Sequence, residues 1–302
     1  MKIVLAEPRG FCAGVKRAIE IVEQTILKHG KPVYVRHEIV HNQYVVNALR
    51  EKGAIFVDDL SQIPSLPSAV VVFSAHGVSE KIENEAKKSG LRVIDATCPL
   101  VKKIHTQTQH YENCGKKIIL IGHAGHAEVE GTRGRMRNQA YLVQKIEDIT
   151  TLPLNPDDEI AYITQTTLNI DDTKNIIEEL RKKFKNLEGP ELNNICYATQ
   201  NRQRAVKFLS GVVDLVLVIG AENSSNSNRL VEIAKTRGVM AYLIDDETQI
   251  DLSWLQYADK VGITAGASAP EILVSKVIRF LKQHAQVDAV ETLAIVEENI
   301  QF

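Results

Sequence analysis

The residues best equipped to do chemistry are three of the four cysteines: Cys12, Cys98 and Cys196. None of the four lies within three residues of another. That spacing excludes the CxxC pairs of zinc ribbons and ferredoxins, and the CxxxCxxC of radical enzymes. What the three share is context: each follows a short strand-like run and precedes a helical stretch, in KIVLAEPRGFC, LRVIDATC and LNNIC. In parallel α/β units such junctions lie at the carboxyl ends of strands, where ligands bind, and the start of a helix there favours a thiolate. Three thiolates from three such junctions select a soft metal: zinc, copper(I) or an iron–sulfur cluster. Structural zinc takes four ligands, usually from close pairs. A cubane on three thiolates keeps one iron open, which both binds a substrate oxygen as a Lewis acid and passes electrons. A zinc enzyme on the same thiols is the competing reading. Cys114, in the Gly-marked turn YENCGKK, reads as a bystander.

The elements that must position these thiols repeat three times. From Cys12 the chain runs through a helix (AGVKRAIEIVEQTILKHG) and the strands PVYVRH, GAIFVDD and AVVVFSAHGVS; a helix then leads to LRVIDATC, which delivers Cys98. From Cys98 the cycle restarts with PLVKKIHTQTQHYENCG, KKIILIG, AYLVQK and AYITQTTLN, and LNNIC delivers Cys196. The third cycle has LVLVIG, AYLIDD, GITAGASAP and a helix to about His284, and its missing strand is the N-terminal KIVLAEPRGFC. His37 and His123 fall at the same distance after Cys12 and Cys98, with Gly220 one residue nearer to Cys196. β-branched runs alternating with helices predict an α/β fold with mostly parallel sheets. The expected arrangement is three pseudo-equivalent units around a central cluster on a pseudo-three-fold axis. They span 12–97, 98–195, and 196–284 with 1–11, leaving 285–302 as a tail outside the repeat. One large doubly wound sheet is the alternative.

The expected strand ends carry HEIVHN, SAHGV, GHAGHAE, TQTT, AENSSNS and TAGASAP, without a Lys or Arg. His41, His76 and His126, with Ser224, Ser225, Asn226 and Ser268, form a pattern suited to an anion held by neutral donors and helix amides. Plain turns and helix caps use the same residue types. Glu128 is the carboxyl best placed to protonate a leaving oxygen, or else it complements a helix dipole. Glu38 and Glu222 remain candidates for the same role. Thr166 and Thr167 either relay that proton or cap a helix.

Bulk properties narrow the field. The 302 residues are 44% hydrophobic, with 36 Lys and Arg against 38 Asp and Glu, a net charge of −2. No basic excess marks a binder of nucleic acid. No apolar run reaches the roughly 18 residues of a membrane span, and MKIVLAEPRG is too short for a signal peptide. A cytoplasmic location is expected. No GxGxxG fingerprint offers a flavin or nicotinamide, so electrons must come from outside.

Together, RGFCAGVKRA, HEIVHN, FSAHGVS, DATCPLV, GHAGHAEVEGT, TQTTL, CYATQNRQ, NSSNSNRL and TAGASAP resemble the motif set of the 4-hydroxy-3-methylbut-2-enyl diphosphate reductases, in the same order from residue 1 to about 280. These enzymes catalyse the last step of the methylerythritol phosphate route to isoprenoids. The resemblance implies a three-lobed α/β fold and a [4Fe–4S] cluster on Cys12, Cys98 and Cys196. It implies a two-electron, two-proton dehydroxylation that gives isopentenyl and dimethylallyl diphosphates and water. His41, His76, His126, Ser224, Ser225, Asn226 and Ser268 would hold the diphosphate. Glu128 would supply the proton, Thr166 would serve as its hydroxyl relay, and Thr199 would line the pocket near the cluster. A ferredoxin or flavodoxin is the implied electron donor, with no nucleic acid and no membrane as partner. The family's tail often runs beyond the ENIQF that ends this chain. Two other classes fit the residues: an aconitase-like hydro-lyase, which needs no reductant, and a non-catalytic α/β binding protein whose thiols are incidental.

Overall fold

Apolar β-branched runs and amphipathic stretches alternate along the whole chain, and each becomes the element that its period demands. The computed structural model describes residues 1–64, 69–190 and 194–302. In chain order the elements are β1 (Lys2–Glu7), α1 (Ala13–His29), β2 (Val33–Arg36), α2 (Gln43–Lys52), β3 (Ala54–Val57), β4 (Val70–Phe73), α3 (Glu80–Lys88) and β5 (Arg92–Asp95). There follow α4 (Pro99–Asn113), β6 (Lys117–Ile121), α5 (Ala127–Arg133), β7 (Tyr141–Val143), β8 (Glu159–Thr164), α6 (Ile170–Lys183) and β9 (Asn186–Glu188). The last set is α7 (Tyr197–Leu209), β10 (Leu215–Ile219), α8 (Ser225–Thr236), β11 (Met240–Ile244), β12 (Lys260–Ala265), α9 (Glu271–His284) and β13 (Ala289–Ala294).

The strands form three sheets, in the orders β3-β2-β4-β5, β7-β6-β8-β9 and β11-β10-β12-β1-β13. Every strand pair among the described residues is parallel. Parallel pairing forces a crossover after each strand and covers both sheet faces, which is why VVVF of β4 and LVLVI of β10 are buried throughout. The α/β class and the parallel sheets are those expected from the sequence.

The chain divides into two compact units. One comprises Met1–Lys16, His41–Val45 and Tyr197–Phe302, and holds the five-stranded sheet. Alternate residues of its inner strands feed two cores. Ile3, Leu217 and Ile263 pack with Leu273, Val277 and Leu281 of α9. Val4, Val216 and Val218 pack with Val206 and Leu209 of α7 and Leu230 of α8. β1 is an inner strand, with Lys2 opposite Lys260 of β12 on one side and Ala289 of β13 on the other. Thus a segment of the expected tail adds a fifth strand. The other unit comprises Arg17–Val40 and Val46–Cys196 and holds both four-stranded sheets. One of its cores gathers Tyr34, Val71 and Phe73, and another gathers Ile119, Tyr162, Ile176 and Phe184.

Two local readings need correction. LNNIC is not the fourth strand of the second sheet: that strand is NLE, paired with β8, while Asn194–Cys196 lie outside any strand and residues 192–193 lie outside the described residues. The Asn194 side chain accounts for the difference. Its Oδ1 accepts from the Thr164 N–H at 3.2 Å, while the Asn194 backbone N–H donates to Thr164 Oγ1 at 3.0 Å, so side-chain groups replace the next ladder rung. In addition, helices α2, α5 and α8 occupy stretches read only as polar loops running to the next strand. Their first turns are capped by Asn42, His126 and Ser224.

Candidate active site

Each candidate metal ligand stands one residue before a helix: Cys12 before α1, Cys98 before α4, Cys196 before α7. Pro99 occupies the first turn of α4, where its missing N–H costs nothing. The three backbones are held alike. The Cys12 N–H donates to Ala267 O at 3.3 Å, Cys98 to Ala75 O at 3.0 Å and Cys196 to Thr166 O at 3.1 Å. In every case the acceptor lies two residues beyond the end of the neighbouring strand: β12, β4 or β8. The repeat read from the sequence therefore returns as one recurring bond. All three thiols are half-buried and none forms a disulfide. The positive end of a helix dipole at each suits an anionic sulfur. Among the described residues, no three His, Cys, Asp or Glu side chains gather closely enough to hold a single metal ion.

Cys114 caps the far end of α4 and is exposed, with Sγ 3.9 Å from His110 Nε2. At 1.5 Å per residue, α4 separates it from Cys98 by roughly 24 Å. Cys114→Ser is therefore expected to leave the iron content of anaerobically purified protein unchanged, as measured by metal analysis. A loss of iron would make Cys114 a participant.

The acid is built in the unit that carries the two four-stranded sheets. Glu128 lies in the first turn of α5 and is 3% exposed. Its N–H donates to Nδ1 of the capping His126 at 3.2 Å. Its Oε1 accepts from the Thr166 N–H and its Oε2 from the Thr166 hydroxyl, both at 2.7 Å. Burial pushes this carboxyl up to about 7, with the two Thr166 donors pulling the other way. Thr166 also accepts from the Cys196 N–H, so one residue joins the acid to a thiol-bearing turn. Of the three candidate carboxyls only Glu128 is buried; Glu222 is exposed and Glu38 half-buried. Thr167 is engaged elsewhere, its Oγ1 accepting from Gln165 Nε2 at 2.9 Å.

His76 and His126 meet edge-on, ring centroids 5.9 Å apart, and Ser74 Oγ lies 3.3 Å from His76 Nδ1. The sequence reading missed His105 of α4 beneath this loop. A Cβ on Gly77, at φ +80°, would lie 2.7 Å from His105 Cε1, so the close approach requires glycine. Burial lowers the His105 imidazole to about 4, leaving a neutral wedge under the His76 turn.

The other unit supplies a neutral polar socket. Ser224 caps α8; its Oγ accepts from the Ser227 hydroxyl at 3.0 Å and lies 3.5 Å from Ser268 Oγ. Asn226 is 4% exposed, yet neither its Nδ2 nor its Oδ1 has a hydrogen-bond partner among the described residues. A fully bonded amide is the norm at such burial, so this one awaits a partner. Ser227, also missed, seats against two strand ends: a Cβ on Gly220 or Gly266 would fall 2.1 Å from its Oγ. Ser225 opens the helix and is half-buried. Together with the amides of the α8 N-terminus, these groups suit a phosphate. His41 is half-buried just ahead of α2, and Thr199 is buried in the first turn of α7.

One unit thus carries a protonatable buried carboxyl and two thiols at helix starts, and the other a third such thiol and a neutral socket suited to an anion. The LytB protein family model matches residues 3–282, and the chain belongs to that family. A relative from Rhodopseudomonas palustris, 4-hydroxy-3-methylbut-2-enyl diphosphate reductase 1, is 58% identical over 298 residues, covering 99% of this chain and 96% of its own. The 4-hydroxy-3-methylbut-2-enyl diphosphate reductase of Actinobacillus succinogenes is 54% identical over 305 residues, covering 100% and 96%. Among solved structures, the E-1-hydroxy-2-methyl-but-2-enyl-4-diphosphate reductase from Plasmodium falciparum superposes with a TM-score of 0.95 at 37% identity, covering 99% of this chain and 93% of that one.

Proposed function

We propose that this chain reduces 4-hydroxy-3-methylbut-2-enyl diphosphate, consuming two electrons and two protons and releasing isopentenyl or dimethylallyl diphosphate with water. The observation that carries the chemistry is the Glu128 carboxyl, raised to about 7 by burial and gripped by Thr166, itself bonded to the Cys196 turn. In this reading Cys12, Cys98 and Cys196 hold a [4Fe–4S] cluster. The fit rests on the donor set: three thiols presented by the same backbone bond, none in a disulfide, and a fourth cysteine out of reach along α4. When bound, the cluster supplies the electrons and the Lewis acidity of an iron without a thiolate.

The remaining work falls to the chain's own residues. Ser224, Ser225, Asn226 and Ser268, with His41, His76 and His126, hold the diphosphate. Anchoring there orients the distant hydroxyl, so that binding energy at the unreactive end serves the reacting one. Glu128, protonated below about 7, hands its proton to the departing oxygen. The Thr166 hydroxyl donates to the carboxylate and accepts from the acid, which suits it to relay the proton. Thr199 lines the pocket near the cluster. Electrons come from an external donor of ferredoxin or flavodoxin type, and the enzyme works in the cytoplasm. The units proposed to present the thiols span 12–97, 98–195, and 196–284 with 1–11.

Thr166→Val tests the relay. The variant keeps the backbone donor but loses the hydroxyl that favours the carboxylate, so Glu128 moves up from about 7. Since the protonated form is the active one, the alkaline limb of the kcat profile should shift to higher pH, and the plateau should fall on the order of tenfold. An unmoved limb would detach Thr166 from the acid's titration.

The reading as a whole is tested by anaerobic turnover of 4-hydroxy-3-methylbut-2-enyl diphosphate with a chemical reductant, following both five-carbon diphosphates. Product that requires both iron-loaded protein and reductant supports it. Conversion without reductant would favour a hydro-lyase, and absence of both products from loaded protein would overturn the substrate.

A further inference from the structure

The end of the chain reaches back to the first cysteine. β13 pairs with β1 over its whole length, Lys2 against Ala289 through Glu7 against Ala294. The Ile295 N–H then continues the ladder onto Glu7 O at 2.9 Å. Three residues on, Glu298 meets Arg202 of α7, which is only 1% exposed. Arg202 Nε and Nη2 donate to Gly10 O at 3.0 and 2.7 Å. Its Nη1 donates to Ala198 O at 2.9 Å and to Glu298 Oε1 at 3.0 Å, and Nη2 also reaches Glu298 Oε2 at 3.3 Å. Asn201 Nδ2 donates to the same Oε1 at 3.0 Å. A guanidinium withdrawn from water is tolerated only when paired and fully bonded, and Glu298 supplies the countercharge.

Gly10 stands two residues before Cys12. Its φ of +66° and the Ala269 O lying 3.1 Å from where a Cβ would sit restrict the site to glycine. Its N–H donates to Ala265 O at 3.0 Å, so β12 holds the amide side of the turn while Arg202 holds the carbonyl side. Elsewhere turn and tail are parted by a cavity of about 730 Å³, lined by Phe11 and Lys16 and by Ile295, Val296 and Glu297. Beyond the β1–β13 ladder, the ion pair thus joins the tail to the turn at the Gly10 carbonyl.

We propose that Glu298 is a positioning residue: by holding the Arg202 guanidinium on the Gly10 carbonyl, the C-terminal segment fixes the turn that presents Cys12. The consequence for cluster retention rests on the cluster reading above; the effect on the turn itself does not. The test uses full-length Glu298→Gln and Glu298→Asp. In cluster-stripped protein, alkylation by iodoacetamide is followed at each cysteine by mass spectrometry. Glu298→Gln should raise the Cys12 rate about tenfold and leave Cys98, Cys114 and Cys196 within about twofold, with Glu298→Asp in between. In reconstituted protein, iron should pass to a chelator faster by a similar factor. Unchanged Cys12 reactivity would overturn the proposal, as would a rise at all four cysteines, which signals general loosening. Should Glu298→Gln fail to fold, Glu298→Asp, which keeps the charge but shortens its reach, carries the same measurement. Selective exposure of Cys12 in a protein that never takes up iron would leave the latch standing and sink the cluster.

Discussion

Cys98→Ser should yield a folded protein that retains no stable cluster and gives no turnover above background. The physical argument lies in the position. Cys98 is the N-cap of α4 and makes no side-chain capping bond, whereas serine is among the preferred residues at that site. The Pro99 in the first turn and the Cys98 N–H bond to Ala75 O depend on the backbone alone. Serine thus keeps or improves the helix start while removing the soft ligand, since a neutral hydroxyl is a poor substitute for a thiolate. Circular dichroism should match the parent, and iron and sulfide analysis together with anaerobic turnover should both collapse. Full iron content in this variant would remove Cys98 from the ligand set. The same logic extends to Cys12 and Cys196, each one residue ahead of a helix.

Glu128→Gln should reduce kcat by between about 10² and 10⁴ while diphosphate binding persists. Glutamine suits the site: its carbonyl can accept from the Thr166 N–H, and its amide can donate to the Thr166 hydroxyl, which then turns from donor to acceptor. Only the transferable proton is lost. Stability should move the opposite way. Burial raises this carboxyl in the folded state from 4.5 to about 7. A raised carboxyl contributes fully below 4.5, and that contribution is lost as pH climbs through 7, a cost of about 3 kcal/mol on the alkaline side. The glutamine variant escapes that cost, so its melting temperature should exceed the parent's at pH 8 and approach it near pH 4.5. A variant that turns over normally would exclude Glu128 as the acid, and equal melting temperatures at pH 8 would mean that the carboxyl is not strained by burial.

The thiol-bearing junctions were legible because a strand, a cysteine and a helix recur three times, and repetition survives noise that defeats any single motif. On residue chemistry Glu128 was legible as the best placed of three acids but not as a buried one, since neither burial nor the Thr166 clasp leaves a mark on local sequence. α2, α5 and α8 escaped because their capping residues, Asn42, His126 and Ser224, are also turn formers, and α5 is only seven residues long. The LNNIC segment misled for a related reason: the amide of Asn194 imitates a backbone rung, so a strand's hydrogen bonds are met without a strand. Arg202 and Glu298 lie 96 residues apart, joined by a sheet edge that no sequence period announces. The unpartnered Asn226 amide was visible as part of NSSNSN but not as unsatisfied, because satisfaction is a property of packing.

The inner position of β1 has a further meaning for how the protein comes to exist. β1 leaves the ribosome long before its neighbours, Lys260–Ala265 and Ala289–Ala294, have been made. The carbonyls of Ala265 and Ala267, which fix the Gly10–Cys12 turn, arrive equally late. Both four-stranded sheets can close on the nascent chain, but the five-stranded one waits for β12 and β13, as pairings of large sequence separation do. Cys12 is therefore synthesised before Cys98 and Cys196 yet fixed in place after them, and in the cluster reading proposed above, uptake of iron and sulfide belongs after Ala289–Ala294 has been made rather than before.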